Sequence, residues 1–228
     1  SNFYSSYFFN RIKKLPFVTG KIATSKNNLI YNAKEKKITD KHSDKFTHFL
    51  RYKNDSIMIS YKTLNKDNPK LNCRLEGLKK FSPKRIILDN NLNTKTNSYI
   101  FNTADKNNTI IFYNNANKQK INFFKKKGIQ LIKSNLTKTK FFDIKSILKK
   151  LYKIRIRNIL VEGGDDLSGS FLKNKLFNQF YLFKSPRILK KSAPYKDFNH
   201  FKYLIHNYRT KSKINNKLTK DTITLYKN

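Results

Sequence analysis

The 228-residue sequence has one cysteine, few acidic residues and no long apolar run. The single cysteine, Cys73, excludes an intrachain disulfide and a cysteine metal cluster, and it favours a reducing compartment. No stretch of about 18 consecutive apolar residues occurs, so no membrane-spanning helix is expected. The start of the chain lacks the cationic region and the cleavage site of a secretory signal. We therefore expect a cytoplasmic protein without a membrane partner.

Basic residues outnumber acidic residues by 50 to 14, which gives a formal net charge of +36. Such a charge is typical of nucleic-acid-binding proteins. The lysines are spread along the whole chain, however, and Lys, Asn, Ile, Phe and Tyr are all abundant, a combination that indicates AT-rich codons. We expect no specific nucleic-acid partner and keep a basic nucleic-acid-binding protein as an alternative. The four histidines show no metal-ligand spacing, so no metal is expected.

Short apolar runs alternate with amphipathic segments along a chain long enough for one substantial core or two small ones. The predicted strands are 16–23, 56–60, 84–89, 108–113, 129–132, 158–161 and 179–183. The predicted helices are 40–52, with Asp40 or Ser43 as its cap, 143–152 and 166–173. Two alternating runs, 202–211 and 218–226, predict a closing hairpin, and the Asn- and Lys-rich stretches 90–97, 106–108 and 212–217 predict surface loops. This order predicts an α/β fold with a mainly parallel sheet, flanking helices and an antiparallel C-terminal hairpin.

The stretch 157–172 combines a strand, a glycine turn and the start of a helix. The run 159–161 is apolar, Gly163 and Gly164 permit a sharp turn, and Asp165, Asp166 and Ser168 are good helix caps. A helix N-terminus after such a turn offers backbone N–H groups and a positive dipole end to an anion. The stretch predicts a site for a nucleotide pyrophosphate, and an ordinary structural turn is the alternative.

A second motif lies in a polar segment at 61–74, which is predicted to be a loop and is too long for a simple connector. Asn68 precedes Pro69 and is expected to be extended, since proline restricts the residue before it. A stiff loop would present Asp67 and Arg74 in a defined geometry. The alternative is an ordinary turn in which Asp67 is only a cap.

These motifs together resemble one family. The resemblance rests on K-x-A-x-S at 21–25, T-x-x-x-D-N-P-x-L-x-x-R at 63–74, V-E-G-G at 161–164, and an entry segment that runs from Phe9-Asn10-Arg11 to Pro16-Phe17-Val18. In this order they are similar to the reductase domain of the bifunctional riboflavin-biosynthesis deaminase/reductase, a relative of dihydrofolate reductase. The resemblance implies a reductase domain at 12–228, preceded at 1–11 by a linker or the tail of another domain. The chain also begins without Met, so an upstream deaminase domain is plausible.

The resemblance further implies that the domain is a homodimer and uses NADPH to reduce 5-amino-6-(5-phosphoribosylamino)uracil to its ribityl product. The implied cofactor-binding residues are Ala23, Lys37, Thr63, Asp67, Gly163, Gly164, Asp165, Asp166, Leu167, Ser168, Gly169 and Ser170. Arg51 and Arg74 would bind the substrate phosphate, for which a guanidinium is well suited, Leu71 would pack on the substrate and Glu162 would accept its hydrogen bonds. Asp67, or Lys21 as an alternative, would handle the proton. The site therefore requires that the glycine turn and the 63–74 segment converge.

The sequence departs from the family pattern in three places. The family's S-L-D-G is Ser25-Lys26-Asn27-Asn28 here, and we expect Asn28 to replace glycine because Asn tolerates positive φ. An aromatic residue before Ile38-Thr39 is replaced by Lys37, which could instead face a cofactor phosphate. The family has an acidic pair after the glycine-rich helix, and this chain has Asn178-Gln179 there. The family also has a glycine after Pro186, and this chain has Lys190 in its place. We interpret these changes as drift in a working enzyme. A catalytically degraded homologue and a reductase of another pterin or pyrimidine remain alternatives.

Overall fold

A computed structural model describes residues 4–35, 37–191, 194–215 and 218–227. Its α-helices are α1 (Ser5–Lys13), α2 (Lys41–Tyr52), α3 (Tyr61–Asp67), α4 (Tyr99–Asn102), α5 (Lys118–Lys126), α6 (Ile144–Lys153), α7 (Asp165–Lys173) and α8 (Phe201–Asn207), with a short 3-10 turn at Lys79–Phe81. Its strands are β1 (Phe17–Thr24), β2 (Leu29–Asn32), β3 (Ser56–Ser60), β4 (Lys84–Leu88), β5 (Thr109–Tyr113), β6 (Gln130–Lys133), β7 (Asn158–Val161), β8 (Gln179–Lys184), β9 (Tyr195–Asp197), β10 (Thr210–Ile214) and β11 (Thr222–Lys227).

The chain divides into two compact units. Unit 1 contains the described residues up to Phe17 together with Arg51–Ile159. Unit 2 contains Val18–Leu50 together with the described residues from Leu160 onward. Among the helices of the described residues, none combines the length and the apolar character needed to cross a membrane.

Unit 1 is built around four parallel strands in the order β3-β4-β5-β6. Met58 lies opposite Ile86, which lies opposite Ile110, and all three side chains are buried. A strand that is covered on both faces needs apolar side chains on both, so its sequence is a continuous apolar run. This is why these strands are rich in isoleucine. Helix α6 adds four buried side chains at helical spacing to the unit: Ile144, Ile147, Leu148 and Leu151.

Unit 2 combines one parallel pair with an antiparallel ribbon. Strand β8 pairs in parallel with β1 and antiparallel with β11, and β11 pairs with β10 as a hairpin. Its core is aromatic: the rings of Phe171 and Phe177 are stacked with their centroids 4.9 Å apart, and Phe180 lies 5.1 Å from Phe177. A Cβ on Gly20 would come within 2.3 Å of the Phe180 ring, so glycine lets this cluster pack directly against β1.

The predicted α/β class, the mainly parallel strands and the antiparallel C-terminal hairpin are confirmed. Strands β3 and β7 match the predicted bounds, and the other predicted strands and helices match within one or two residues. The hairpin begins later than predicted, because 201–207 forms helix α8 rather than a strand. Its first strand, β10, includes 212–214, which were predicted to belong to a loop over 212–217, and residues 216 and 217 of that loop lie outside the described ranges. The antiparallel pair of β2 and β9 was not predicted.

The start of the chain, expected to be a linker or the tail of a preceding domain over 1–11, forms helix α1 from Ser5 onward, and residues 1–3 lie outside the described ranges. The domain assignment of 1–11 stays a prediction. The buried side chain of Asn10 donates to the carbonyls of Leu15 and Arg157, which fixes α1 to unit 1. The segment 61–67, expected to be a polar loop, is helix α3.

Of the two predicted caps of α2, Asp40 and Ser43, it is Asp40 whose side chain bonds the first N–H groups of the helix, and its carboxylate also holds the turn before β11. One oxygen accepts hydrogen bonds from the N–H groups of His42 and Ser43, and the other accepts from the Thr219 hydroxyl and the Lys220 N–H. Burial works to raise the pKa of Asp40, but these hydrogen bonds outweigh it, and the pKa lies below its ordinary value. The ionised carboxylate therefore stabilises the fold.

We expect Asp40→Ala to lower the free energy of unfolding at pH 7 by about 1–2 kcal/mol, since a helix cap and a tertiary contact are lost together. Asp143 caps α6 through the Ser146 N–H, so Asp143→Ala is the matched control and should cost about 1 kcal/mol. Because the pKa of Asp40 is lower in the folded state, its contribution is present above the unfolded pKa and is lost as pH falls through the folded value. Chemical denaturation at pH 7 and pH 3 measures both effects. An equal Asp40→Ala deficit at the two pH values would contradict the charge-dependent contribution.

Candidate active site

In unit 1, helix α3 carries two of the predicted site residues on one face. Ser60 caps the helix by accepting a hydrogen bond from the Thr63 N–H, and Leu64 is the buried residue of the helix. Thr63 and Asp67 are four residues apart, so in a helix they lie one above the other. The helix therefore aligns a hydroxyl and a carboxylate that a loop would have left unrelated.

The chain after α3 contains two residues in the left-handed region. Asn68 has φ 41° and ψ 53° and ends the helix with its N–H bonded to the Leu64 carbonyl, so the prediction that it is extended is wrong. Leu71 has φ 54°, which is uncommon for a residue with a branched side chain. Its side chain is only 2% exposed, so Leu71 packs inside the protein and offers little surface to a ligand. This burial argues against its predicted substrate contact.

The two predicted substrate arginines meet at Asn72. Arg51, in the last turn of α2, donates from Nη1 to the backbone carbonyl of Asn72 at 3.2 Å. Arg74 donates from Nη1 to the Asn72 side-chain oxygen at 3.4 Å, and its own side chain is exposed. Asn72 therefore links two guanidinium groups that are 23 residues apart in sequence. It was not predicted, because an asparagine between Leu71 and Cys73 carries no distinctive signal.

Asp67 is the last residue of α3 and precedes Asn72 and Arg74 by five and seven residues in the sequence. Desolvation raises its pKa above the ordinary value, while the neighbouring Lys66 works in the opposite direction. A raised pKa makes a carboxyl a better proton donor near neutral pH.

In unit 2, the predicted strand, glycine turn and helix are present. Strand β7 ends at Val161 and α7 begins at Asp165, with Gly164 as its N-cap and no side-chain hydrogen bond at that cap. The N–H groups of the first turn have no carbonyl four residues earlier within the helix. They are the groups that can bind an anion.

Several side chains in the first turns of α7 are buried or hydrogen-bonded to the backbone of this segment. The side chains of Asp165, Leu167 and Ser168 are buried, and so is Gly169. The Ser168 hydroxyl donates to the Gly163 carbonyl at 3.5 Å, and the Ser170 hydroxyl donates to the Asp166 carbonyl at 3.0 Å. Binding of a phosphate by this segment would therefore depend mainly on backbone N–H groups.

The two carboxylates in the first turn of α7 are engaged with other parts of unit 2. Asp165 accepts hydrogen bonds from the backbone N–H and the side-chain amide of Asn199, each at 2.9 Å, and its Oδ1 lies 2.7 Å from Nδ1 of His200. Asp166 is exposed and pairs with Lys196 at 3.3 Å. Both negative charges thus have polar or cationic partners, which reduces the repulsion that a bound phosphate would meet.

Three predicted residues of unit 2 lie on β1 or beside α2. Lys21 and Ala23 are half-buried on the same side of β1, and the Lys21 ammonium lies 4.8 Å from the centroid of the Phe183 ring. Lys37 is exposed and pairs with Asp44 in the first turn of α2, so its ammonium has a protein partner. Glu162 is half-buried directly after β7.

Hydrogen bonds hold the 25–28 loop, which stands where the family has S-L-D-G. Asn28 has φ 64°, which confirms that it takes the conformation expected of the missing glycine. Asn27 accepts from the Leu189 N–H at 3.1 Å and donates to the Leu189 carbonyl at 2.9 Å. This departure from the family pattern is compatible with an ordered loop.

Comparison with known proteins identifies the family. A family model described as the RibD C-terminal domain matches residues 20–198, which is most of the chain. The chain belongs to the RibD C-terminal domain family. The riboflavin biosynthesis protein RibD of Aquifex aeolicus is 33% identical over 185 residues, which cover 80% of this chain and 50% of that protein. The chain thus spans about half the length of such RibD relatives.

Shorter relatives and solved structures agree with this placement. A Buchnera aphidicola protein named 5-amino-6-(5-phosphoribosylamino)uracil reductase is 29% identical over 173 residues, which cover 71% of this chain and 80% of that protein. The structure of Acinetobacter baumannii RibD covers 99% of this chain, with a TM-score of 0.78 and 20% identity, and this chain covers 62% of it. The Saccharomyces riboflavin biosynthesis reductase Rib7 covers 93% of this chain, with a TM-score of 0.66 and 20% identity. At these identities the structures support the fold.

Gly169 offers a direct test of the packing behind the α7 N-terminus. A Cβ at this position would lie 2.4 Å from the His200 ring, so Gly169→Ala should displace the histidine that pairs with Asp165. We expect it to cost about 1–3 kcal/mol of stability through overpacking. In a His200→Ala background the same change should be neutral or stabilising, because alanine favours a helix over glycine. Urea unfolding of the four proteins in this cycle measures the coupling, and additive effects would contradict the contact.

Proposed function

We propose that this chain is the reductase domain that converts 5-amino-6-(5-phosphoribosylamino)uracil to its ribityl product in riboflavin biosynthesis, with NADPH as the reductant. The proposal is supported by the family and by the name of the Buchnera relative. The observation that carries it furthest is the meeting of Arg51 and Arg74 at Asn72, because paired guanidinium groups suit a phosphate.

Within unit 1, each residue has a chemical task in this proposal. Arg51 and Arg74 bind the ribose phosphate of the substrate and hold it by charge and hydrogen bonds. Asp67, whose carboxyl has a pKa raised by desolvation, delivers a proton to the opened sugar or the imine nitrogen. Thr63, one turn before Asp67, lines the same face of α3.

Within unit 2, the residues fit a phosphate-bearing cofactor. Gly164 leaves the start of α7 without a side-chain cap, and the backbone N–H groups of the first turn would hold the cofactor phosphates. Ala23 and Lys37 would line the cofactor, and Glu162 would accept hydrogen bonds from the substrate. Lys21 is the alternative to Asp67 for the proton. When bound, NADPH would supply the hydride that reduces carbon 1 of the opened sugar.

Two partners also belong to the proposal. The Thermotoga maritima relative is named both a deaminase and a reductase, and this chain covers 59% of it. We propose a deaminase domain as a companion of this reductase, and a homodimer as its assembly, as the family resemblance implies.

We expect NADPH to raise the melting temperature clearly more than NADH, since the two cofactors differ by one phosphate that a cationic protein binds. The shift should persist at high salt, because nonspecific attraction to the lysines is screened there. Thermal unfolding with each cofactor at several salt concentrations measures this difference. Equal shifts from NADPH and NADH at high salt would count against the assigned cofactor.

Arg74→Ala should abolish turnover of the phosphorylated substrate while leaving the Kd for NADPH close to wild type. The guanidinium is assigned to the substrate, so the cofactor keeps its contacts. Arg209→Ala removes an exposed arginine outside the proposed site and is the matched control. Steady-state kinetics and nicotinamide fluorescence titration provide the two readouts. A loss of NADPH affinity as large as the loss of turnover would move Arg74 from the substrate to the cofactor.

Asp67→Asn should lower kcat by about 10²–10⁴-fold, the usual contribution of a general acid. It should not lower stability at pH 7. A carboxyl whose pKa is raised on folding destabilises the folded state once pH exceeds the unfolded pKa, and the amide removes that penalty. Turnover and melting temperature are measured on the same preparations. Retained turnover would transfer the proton-handling role to Lys21, and a large fall in melting temperature would show a structural role for Asp67.

A further inference from the structure

The end of helix α3 is held by two asparagine side chains. Asn65 donates from Nδ2 to the Asn93 carbonyl at 2.8 Å and accepts from the Lys95 N–H at 2.9 Å. Asn68 accepts from the Tyr99 N–H at 2.7 Å through its side-chain oxygen. All three hydrogen bonds lead to the segment 93–99. Residues 93–97 of this segment belong to the Asn-rich stretch 90–97, which was predicted from composition to be a surface loop.

The segment 93–99 is itself anchored in the core of unit 1. Asp89 follows β4 and is fully buried, and its carboxylate accepts from the N–H groups of Asn93 and Thr94 and from the Thr94 hydroxyl, at 2.7–2.8 Å. Its own N–H donates to the Phe112 carbonyl at the end of β5. A continuous set of hydrogen bonds therefore runs from the parallel strands to the end of α3.

Tyr99 contacts the 67–74 segment in two ways. It is the first residue of α4, and its N–H is one of the groups that a helix leaves without an internal partner. Ser98 caps α4 at the Phe101 N–H, while Asn68 takes the Tyr99 N–H. The Lys70 ammonium lies 5.4 Å from the centroid of the Tyr99 ring, within cation–π range.

The backbone that these contacts hold is strained. Asn68 is left-handed although a proline follows it, and Leu71 is left-handed although it has a large side chain. Left-handed backbone at residues other than glycine is sparsely populated and persists only where the surroundings over-determine it. Asn68 lies directly between Asp67 and Pro69, so the strain lies in the segment that carries the proposed catalytic carboxyl.

We propose that Asn68 is a positioning residue for the reaction: its side-chain bond to the Tyr99 N–H fixes the left-handed turn that aims Asp67 and sets the path to Arg74. This inference rests on the proposed function and adds a residue to it. A left-handed asparagine supplies what glycine cannot, since glycine adopts the backbone conformation but lacks the acceptor oxygen.

The test uses two substitutions and one control. Asn68→Gly keeps the left-handed backbone and removes the acceptor, whereas Asn68→Asp keeps an acceptor oxygen and tolerates the same φ. Asn97→Gly changes an exposed asparagine in the same stretch and is the matched control. The readouts are kcat and KM for the pyrimidine substrate, the Kd for NADPH, and amide hydrogen exchange at Tyr99.

For Asn68→Gly we expect kcat to fall about 10–100-fold, since a displacement of about 1 Å can cost as much as 10² in rate. The Kd for NADPH should stay within about twofold of wild type, and the Tyr99 amide should exchange at least tenfold faster. Asn68→Asp should restore Tyr99 protection and recover kcat above the glycine variant. Asn97→Gly should resemble wild type in every readout.

Wild-type kcat in Asn68→Gly, or an unchanged exchange rate at Tyr99, overturns the inference. So does a kcat in Asn68→Asp no higher than in Asn68→Gly. Failure of the proposed function gives a different result, namely a wild-type protein with no reductase activity towards the pyrimidine. In that case, exchange at Tyr99 and across 67–74 still decides whether Asn68 braces the turn.

Discussion

In the proposed function, the chemistry of unit 1 depends on the left-handed turn at Asn68. This turn ends α3 directly after Asp67 and sends the chain through Pro69 towards Leu71, Asn72 and Arg74. Burial of Leu71 fixes the middle of this path, and the hydrogen bond from Arg51 to the Asn72 carbonyl fixes its later part. Backbone geometry thus gives defined positions to the carboxyl and the two guanidinium groups that the proposal assigns to the reaction.

Unit 2 meets a different constraint, because in the proposed function the start of α7 binds an anion although two aspartates occupy its first turn. The structure directs both carboxylates elsewhere. Asp165 is buried against Asn199 and His200, and Asp166 pairs with Lys196. Glycine at the cap leaves the backbone N–H groups without a side-chain competitor. The acidic residues therefore serve the packing of 195–200 on α7, while the backbone keeps the favourable electrostatic character of a helix N-terminus.

The strands and the motif positions could be predicted from sequence because they depend on local patterns. A buried parallel strand can be recognised from its continuous apolar sequence, and a glycine turn before a helix can be recognised from the adjacent glycines. Helix α3 was missed because only Leu64 among its seven residues is buried, so it has almost no apolar periodicity. Asn68 was misjudged because the steric rule for residues before proline was overridden by tertiary hydrogen bonds. The pairs Asp165–His200 and Arg51–Asn72 join residues 35 and 21 positions apart, and no single-sequence pattern encodes such a separation.

Several asparagine side chains of this asparagine-rich chain make structural hydrogen bonds. Asn10 anchors α1, Asn27 pairs reciprocally with Leu189, and Asn68 joins α3 to α4. Asparagine can make these contacts because it carries both a donor and an acceptor and tolerates positive φ, as Asn28 does in place of a glycine. An asparagine can therefore replace other residues where the chain needs a turn or a backbone hydrogen bond, and such a replacement is compatible with the proposed site, for which Asp67, Arg51 and Arg74 are all present.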